Sequence, residues 1–442
     1  MEWKSLMNAQ RVGEQSPEYQ ARNPFQRDFD RIVFSPAFRR LQSKTQVFPL
    51  PETDFIHTRL THSLESSCVG RSLGQMAGEL LFARGKLQGT TPWDLSSVVA
   101  AANLAHDIGN PPFGHGGEEA ISDFFRSDRG SKLIGSFSPA QQRDLVNFEG
   151  NAMGFRILTR TNPHKSRRPG GLGITKATVG AFTKYPCDSM AMDTSSSSAS
   201  RKKYGVFQSD FGTFSSMVGD LGMNPFPVEH AYYRHPLAYL VEASDDICYL
   251  AMDLEDGYRL GLLPFEEVES LYLDVIGATL QPDRYQQITA ADDRIAYLRA
   301  VAINTLVTQT ANLFCDSIDT IFCGELKKPL TLSIPAGPNL ARIRTVSVEK
   351  IYSHRKVQEI EAAGFEIISG LLDCFIGAMA NPSSKRSQKV LSLVSSSYRF
   401  ESESSDDQYE AFMYMVQFVA GMTDRFAIET YRTIKGISLP TY

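Results

Sequence analysis

The sequence predicts an all-α protein. Three observations carry this: apolar residues recur at three- and four-residue steps through most of the chain, strand alternation is scarce, and two stretches read as long, largely buried helices. Ser96–His106 (SSVVAAANLAH) is small and apolar on most sides, as a helix surrounded by protein should be. Leu237–Leu254 (LAYLVEASDDICYLAMDL) keeps the helical step across two adjacent carboxylates. Glu349–Leu372 and Gln408–Ile434 are two further long amphipathic segments. Leu330–Ile334 (LTLSI) is a weak strand signal, ended by Pro335 and Gly337.

Two segments read as loops. Pro163–Gly173 (PHKSRRPGGLG) is basic and rich in Gly and Pro. Asp188–Ser200 (DSMAMDTSSSSAS) is a Ser-rich, low-complexity stretch inside 186–201, which is expected to be a mobile loop. Helical pattern resumes on both sides of each, and no internal repeat is visible, so the 442 residues read as one large helical unit.

Composition narrows the class. With 42% hydrophobic and 21% charged residues, the chain reads as an ordinary globular protein. No apolar run approaches the ~20 residues of a membrane span, and MEWKSLMNAQ at the N-terminus lacks a signal pattern. A cytoplasmic location without a membrane partner is the expectation. The six cysteines are scattered, with no CxxC pair, which suits reduced thiols. A net charge of −5 should repel polyanions, so a triphosphate ligand would need metal ions and a local basic cluster.

The chemistry concentrates in Ala105–Glu119 (AHDIGNPPFGHGGEE). His106 and Asp107 are followed by a loop of Gly109, Asn110, Pro111 and Pro112, then by His115 and Glu118. A His-Asp dipeptide alone is a weak signal in a chain with eight histidines, and a helix-end His beside a capping Asp is the bland alternative. Yet this pair ends a buried apolar helix, where an unpaired ionisable dyad is costly. More ligand types lie elsewhere: Phe55–Glu65 (FIHTRLTHSLE) offers His57 and His62, and Glu242–Tyr249 (EASDDICY) offers Asp245 and Asp246. Mixed imidazoles and carboxylates suit a divalent Mg, Mn, Fe, Co or Ni ion. Without Cys ligands a structural zinc knot is disfavoured. Unrelated buried polar residues are the competing reading.

Asn23–Gly74 (NPFQRDFDRIVFSPAFRRLQSKTQVFPLPETDFIHTRLTHSLESSCVGRSLG) resembles the N-terminal signature of the deoxyguanosinetriphosphate triphosphohydrolases of the HD phosphohydrolase superfamily. AHDIGNPPFGHGGEEAI, NFEGNAMGFRIL, GAFTKYP, HPLAYLVEASDDICYLAMDLEDG and FVAGMTDRFA are similar to later family blocks in the same order. The resemblance implies an HD catalytic core at 23–300 and a helical C-terminal part at 301–442 packed on it. It implies hydrolysis of a deoxynucleoside triphosphate, dGTP the leading candidate, between nucleoside and α-phosphate, releasing inorganic triphosphate.

Carried over residue by residue, the resemblance implies four metal ligands: His62, His106, Asp107 and Asp245. Asp245 is preferred to Asp246 because the family's ligand opens the Asp-Asp pair. It implies His115 and Glu118 as the catalytic dyad, the carboxylate orienting an imidazole that moves a proton to or from the reacting oxygens. Whether His115 acts as base on water or acid toward the leaving oxygen stays open. The metal would activate water and neutralise charge at the α-phosphorus.

Arg59, one helical turn before His62, is placed to touch a bound phosphate; a surface arginine is the plain alternative. Lys184 and Tyr185 in FTKYP, Lys203 in RKKYG and Asn151 in FEGN match family triphosphate contacts. Gln46, Tyr249 and Asp253 match residues beside the deoxyribose; for Tyr249 a core aromatic is the alternative. Asp245, Tyr249 and Asp253 stand at i, i+4 and i+8, one gently drifting stripe about 12 Å long on a helix. The guanine-reading residues are not located. A homo-oligomer, with a hexamer as the expected order, is implied, and the basic His164–Arg168 is a candidate contact for single-stranded DNA, against a solvated loop. The rivals are another HD phosphohydrolase, such as a 5′-deoxynucleotidase or a cyclic-nucleotide phosphodiesterase, and a non-catalytic nucleotide or nucleic-acid sensor on the same scaffold.

Overall fold

A computed structural model of the chain describes residues 1–14, 22–47, 57–160, 171–196, 198–395, 398 and 405–438, the side chains of 405–407 excepted. Among these, every regular element is a helix, and β contacts are isolated bridges such as Thr45 with Thr58. The all-α expectation holds.

The helices start where capping chemistry allows. Asn23 caps α1 (Pro24–Val33), its side chain accepting from the Phe25 and Gln26 amides. Thr58 and Thr61 form a capping box at the start of α2 (Arg59–Ala83), and Thr91 with Asp94 forms one at α3 (Pro92–Ala105). The α3 box, with Pro92 in the first turn, starts the helix four residues before its apolar run. Helices α2 and α3 pack backbone to backbone. A Cβ on Gly74 would stand 2.8 Å from Ser96 Cα, and one on Gly78 would stand 2.6 Å from Pro92 Cα. Any side chain there must push the pair apart.

Next come α4 (Gly114–Arg126), α5 (Gly150–Thr159), α6 (Lys176–Phe182), α7 (Pro236–Arg259) and α8 (Ala291–Asp316), then α9 (Arg355–Ala380), α10 (Ser405–Ala420) and α11 (Asp424–Ile434). The segment Leu237–Leu254 lies wholly within α7. Two long segments expected as single helices are each broken. Ser347–Tyr352 forms a π-turn that stops at Ser353, and His354 caps α9 afresh. Gln408–Ile434 divides at Gly421, with Thr423 capping α11. Leu330–Ile334 corrects the strand reading: Leu330–Leu332 is a 3-10 turn. Without a partner strand its backbone could not be satisfied by sheet bonds, so it closes locally, Ser333 N–H donating to Leu330 C=O at 2.9 Å.

Two apolar cores result. One is lined by Phe25, Leu73, Val98, Ala177, Leu240 and Leu298, from α1, α2, α3, α6, α7 and α8. The other is lined by Phe124, Met153, Leu371, Phe412 and Ala427, from α4, α5, α9, α10 and α11. The division drawn at residue 300 falls inside α8. Helix α9 is long and apolar enough, by length and composition, to cross a membrane, so it departs from the expectation that no segment is. Its Ile368, Leu371 and Phe375 are fully buried in the second core, as in a core helix.

Among the described residues of the loop expected at 186–201, Ala199–Arg201 form a 3-10 turn, Cys187, Asp188, Ala191 and Ser200 are buried, and Asp188 accepts from the Ala191 amide at 3.0 Å. Of the basic segment 163–173, residues 163–170 lie outside the described residues, including His164–Arg168.

Candidate active site

The site lies where the cores meet. The first supplies a cluster of imidazoles and carboxylates. The second supplies His115 and Glu118.

His106 caps the C-terminus of α3, and its Nδ1 donates to the Asn103 carbonyl at 2.6 Å. That bond fixes the tautomer and leaves the Nε2 lone pair free to act. Nε2 stands 3.4 Å from Asp245 Oδ1 and 3.6 Å from Asp107 Oδ1. His62, in the first turns of α2, points Nε2 at the same Asp245 Oδ1 from 3.1 Å. Its ring meets that of His106 edge to face, with centroids 5.2 Å apart. One ligand atom each from His62, His106 and Asp107 lies within 4.8 Å of the others. Donor type and convergence both fit a divalent cation.

Electrostatics agree. Burial works against ionising Asp245, but His106 and His62 hold its carboxyl well below the usual range. Asp107 is also buried, and Arg59 first, then the imidazoles, hold it low. Arg59 Nη1 donates to Asp107 Oδ2 at 2.5 Å, and Asn110 Nδ2 donates to Asp107 Oδ1 at 2.5 Å.

His57 and Asp246 each bond to partners outside the cluster. His57 faces away from the cluster, its Nδ1 2.8 Å from Asp256 Oδ1 and its Nε2 3.3 Å from Glu65 Oε2. Burial opposes its charge, but these carboxylates push it up to about 10. Asp246, one residue and so about 100° further round α7, accepts from Thr331 Oγ1 at 2.7 Å. Burial pushes it up to about 6.

The chain then turns through Phe113 and Gly114, both at φ 62°, before α4 begins. This left-handed turn costs a phenylalanine more than a glycine. His115 follows, with Nδ1 3.3 Å from Glu118 Oε2 and its side chain 83% exposed. The other Glu118 oxygen accepts from the Gly150 amide at the start of α5 at 2.8 Å. Burial opposes the Glu118 charge, but His115 and Lys203 hold it low. The Glu118 hydrogen bond in turn raises His115.

Lys203 Nζ lies 3.0 Å from Glu149 Oε1 and 3.8 Å from Glu118 Oε2, and Asn151 Nδ2 donates to Glu149 Oε2 at 3.3 Å. Lys184 Nζ is 3.4 Å from Glu242 Oε1, and its ammonium lies 5.7 Å from the Tyr185 ring centroid. On α7, the Tyr249 ring lies 5.7 Å from that of Tyr352, whose hydroxyl donates to Asp253 Oδ2. Burial pushes Asp253 up to about 8. Gln46 Oε1 is buried with no hydrogen-bond partner among the described residues.

Three residues of the site escaped the sequence. Glu149 lies inside the quoted NFEGN block, where a carboxylate beside a lysine site was the available signal. Arg234, fully buried and donating to Glu242 Oε2 at 2.7 Å, precedes α7 in the quoted run's immediate neighbourhood. Tyr352 carries no local signal, because it reaches Asp253 across 99 residues of sequence.

A model of the phosphohydrolase-associated domain matches residues 330–433. The chain is 40% identical over 451 residues to a deoxyguanosinetriphosphate triphosphohydrolase-like protein of Synechocystis sp., covering 99% of this chain and 100% of that one. It is 39% identical to a protein of the same description from Pseudomonas aeruginosa, covering 100% of both. It is 30% identical to a deoxyguanosinetriphosphate triphosphohydrolase of Yersinia pseudotuberculosis, covering 94% of each.

Proposed function

The chain belongs to the deoxyguanosinetriphosphate triphosphohydrolase family of HD phosphohydrolases, and from that premise we propose that it hydrolyses deoxynucleoside triphosphates, dGTP foremost, to deoxynucleoside and inorganic triphosphate. The observation that carries the reading is the convergence of His62, His106 and Asp107, with Asp245 against both imidazoles, next to a separately supported His115–Glu118 pair.

In this reading those four residues hold a divalent cation of the Mg, Mn, Fe, Co or Ni group. When bound it supplies Lewis acidity toward water and phosphate oxygen. His115 exchanges a proton with the reacting oxygens, and Glu118 keeps its ring oriented through Nδ1. Arg59 steadies Asp107 and lies at the phosphate end. Lys184, Tyr185, Lys203 and Asn151 bind the triphosphate. Each of the two lysines sits beside a glutamate, so an incoming phosphate competes for charge already paired.

Tyr249 and Asp253, one and two four-residue steps along α7 from Asp245, grip the sugar, and Gln46 offers a hydroxyl the oxygen that has no partner among the described residues. A homo-oligomer of hexameric order, a cytoplasmic location and a single-stranded DNA contact through His164–Arg168 belong to the same proposal. A panel of mono-, cyclic and triphosphates with product chromatography tests it. Cleavage confined to mono- or cyclic nucleotides would assign another HD activity.

A further inference from the structure

The block FVAGMTDRFA resembles a family signature, yet none of it enters the site described above. Its position explains why the chain needs it. Asp424, at the start of α11, is 1% exposed, and the neighbouring Lys44 ammonium acts on it electrostatically while bonding to carbonyls rather than to its carboxylate. Its carboxylate instead spans two distant backbone segments. Oδ1 accepts from the Phe113 amide at 3.1 Å. Oδ2 accepts from the Thr45 amide at 2.9 Å and from the Thr45 hydroxyl.

Both segments lead straight into the site. Phe113 is the left-handed residue before α4, two positions ahead of His115. Thr45 immediately precedes Gln46. Beside them, buried Lys44 donates to the Asn110 carbonyl at 2.5 Å and to the Ala420 carbonyl at 2.7 Å. Asn110 is the residue whose side chain donates to Asp107. One small polar knot thus ties the C-terminal helices to both sides of the reaction centre.

We propose that Asp424 is a positioning residue for the hydrolysis, holding the strained Phe113 turn so that His115 meets the reacting oxygen, and holding Thr45 so that Gln46 meets the sugar. The inference rests on the reading of function above. Carboxylate bonds to backbone amides are charge-assisted and strong, and a backbone residue in a disfavoured region persists only where its surroundings over-determine it. The two oxygens divide the labour: the Oδ1 arm serves proton transfer, and the Oδ2 arm serves substrate binding.

The test uses the full-length, Mn-loaded protein and the variants Asp424→Ala, Asp424→Asn and Thr45→Val. Three readouts are taken per folded molecule: kcat and KM for dGTP, Mn²⁺ affinity, and amide hydrogen exchange of a peptide spanning 111–116. Asp424→Ala is expected to lose kcat by roughly 10–100-fold, as a displaced reacting group does. Exchange at 111–116 should quicken by roughly tenfold or more as the charge-assisted bond is lost, with Mn²⁺ affinity unchanged. Asp424→Asn keeps an acceptor for Phe113 and should recover most of kcat. Thr45→Val should raise KM and leave kcat in place. If Asp424→Ala does not fold, Thr45→Val decides alone, and an unaltered KM in that variant overturns the proposal. Wild-type kcat, KM and exchange in the Ala variant overturn the proposal, and so does loss of stability with unaltered kcat and KM per folded molecule. If the wild-type protein releases no triphosphate, the proposed function fails by itself, and the exchange readout still decides the knot: unchanged exchange at 111–116 rejects it.

Discussion

Arg59 donates to Asp107 at 2.5 Å, and both side chains are almost fully buried. A residue expected to meet phosphate is therefore also the neighbour that keeps a candidate metal ligand ionised. Burial alone would raise the Asp107 carboxyl, and Arg59 is the foremost group opposing it. Removing the guanidinium should let a proton compete for that carboxylate. Arg59→Ala is predicted to weaken Mn²⁺ binding by roughly 10–100-fold, the usual cost of losing a ligand's supporting partner, and to weaken it more at pH 5.5 than at pH 8. Calorimetric titration with Mn²⁺ at both pH values checks this. An arginine that only touched phosphate would leave Mn²⁺ affinity unaltered.

The His115–Glu118 pair sets a second expectation. The Glu118 hydrogen bond is the main cause that raises the His115 imidazole. Glu118→Gln keeps the shape and removes the charge, so His115 must fall toward its ordinary value. The limb of the kcat–pH profile that belongs to His115 should move to lower pH, whichever direction the imidazole passes its proton. The rate should fall by roughly 10²-fold or more, in the range of a general acid or base. An unmoved limb would separate His115 from the chemistry.

Asp253 gives a prediction about stability. Burial pushes its carboxyl up to about 8, above the ordinary 3.8. A carboxyl whose folded value is raised binds its proton more tightly in the folded state. Its contribution is fully present below about 3.8 and is lost as pH rises through about 8. Asn mimics the neutral form and escapes that loss. Asp253→Asn is therefore predicted to melt higher than wild type at pH 8, by a few degrees at most, with the difference shrinking at pH 5. It should lower dGTP turnover and narrow the gap between dGTP and its 2′,3′-dideoxy analogue. Equal melting at both pH values would contradict the raised carboxyl, and undiminished discrimination against the analogue would remove Asp253 from the sugar site.

How much of this was legible can be argued from particular residues. The buried helix before His106 is a local signal, and local signals are what sequence carries best; the caps at Asn23, Thr58 and Thr91 are equally local but fall outside the apolar pattern, so the helix was read from Ser96 rather than Pro92. Asp245 and Asp246 are neighbours that α7 turns apart, one toward the imidazoles and one toward Thr331; composition could not choose between them. The breaks at Ser353 and Gly421 were hidden because apolar period continues across both. Tyr352, Glu149 and Asp424 act across contacts of 99, 54 and 311 residues. Tertiary packing makes such pairs, and no local pattern encodes them.

The most direct test of the central claim is the product of one reaction. Pure protein loaded with Mn²⁺ is given dGTP in ¹⁸O-labelled water, and the products are separated and weighed. The account predicts deoxyguanosine and intact triphosphate in equal amounts, the label on triphosphate, and no turnover by the Asp107→Ala protein. Formation of dGMP with pyrophosphate, or of dGDP with phosphate, would contradict it, as would full-rate hydrolysis by metal-free protein.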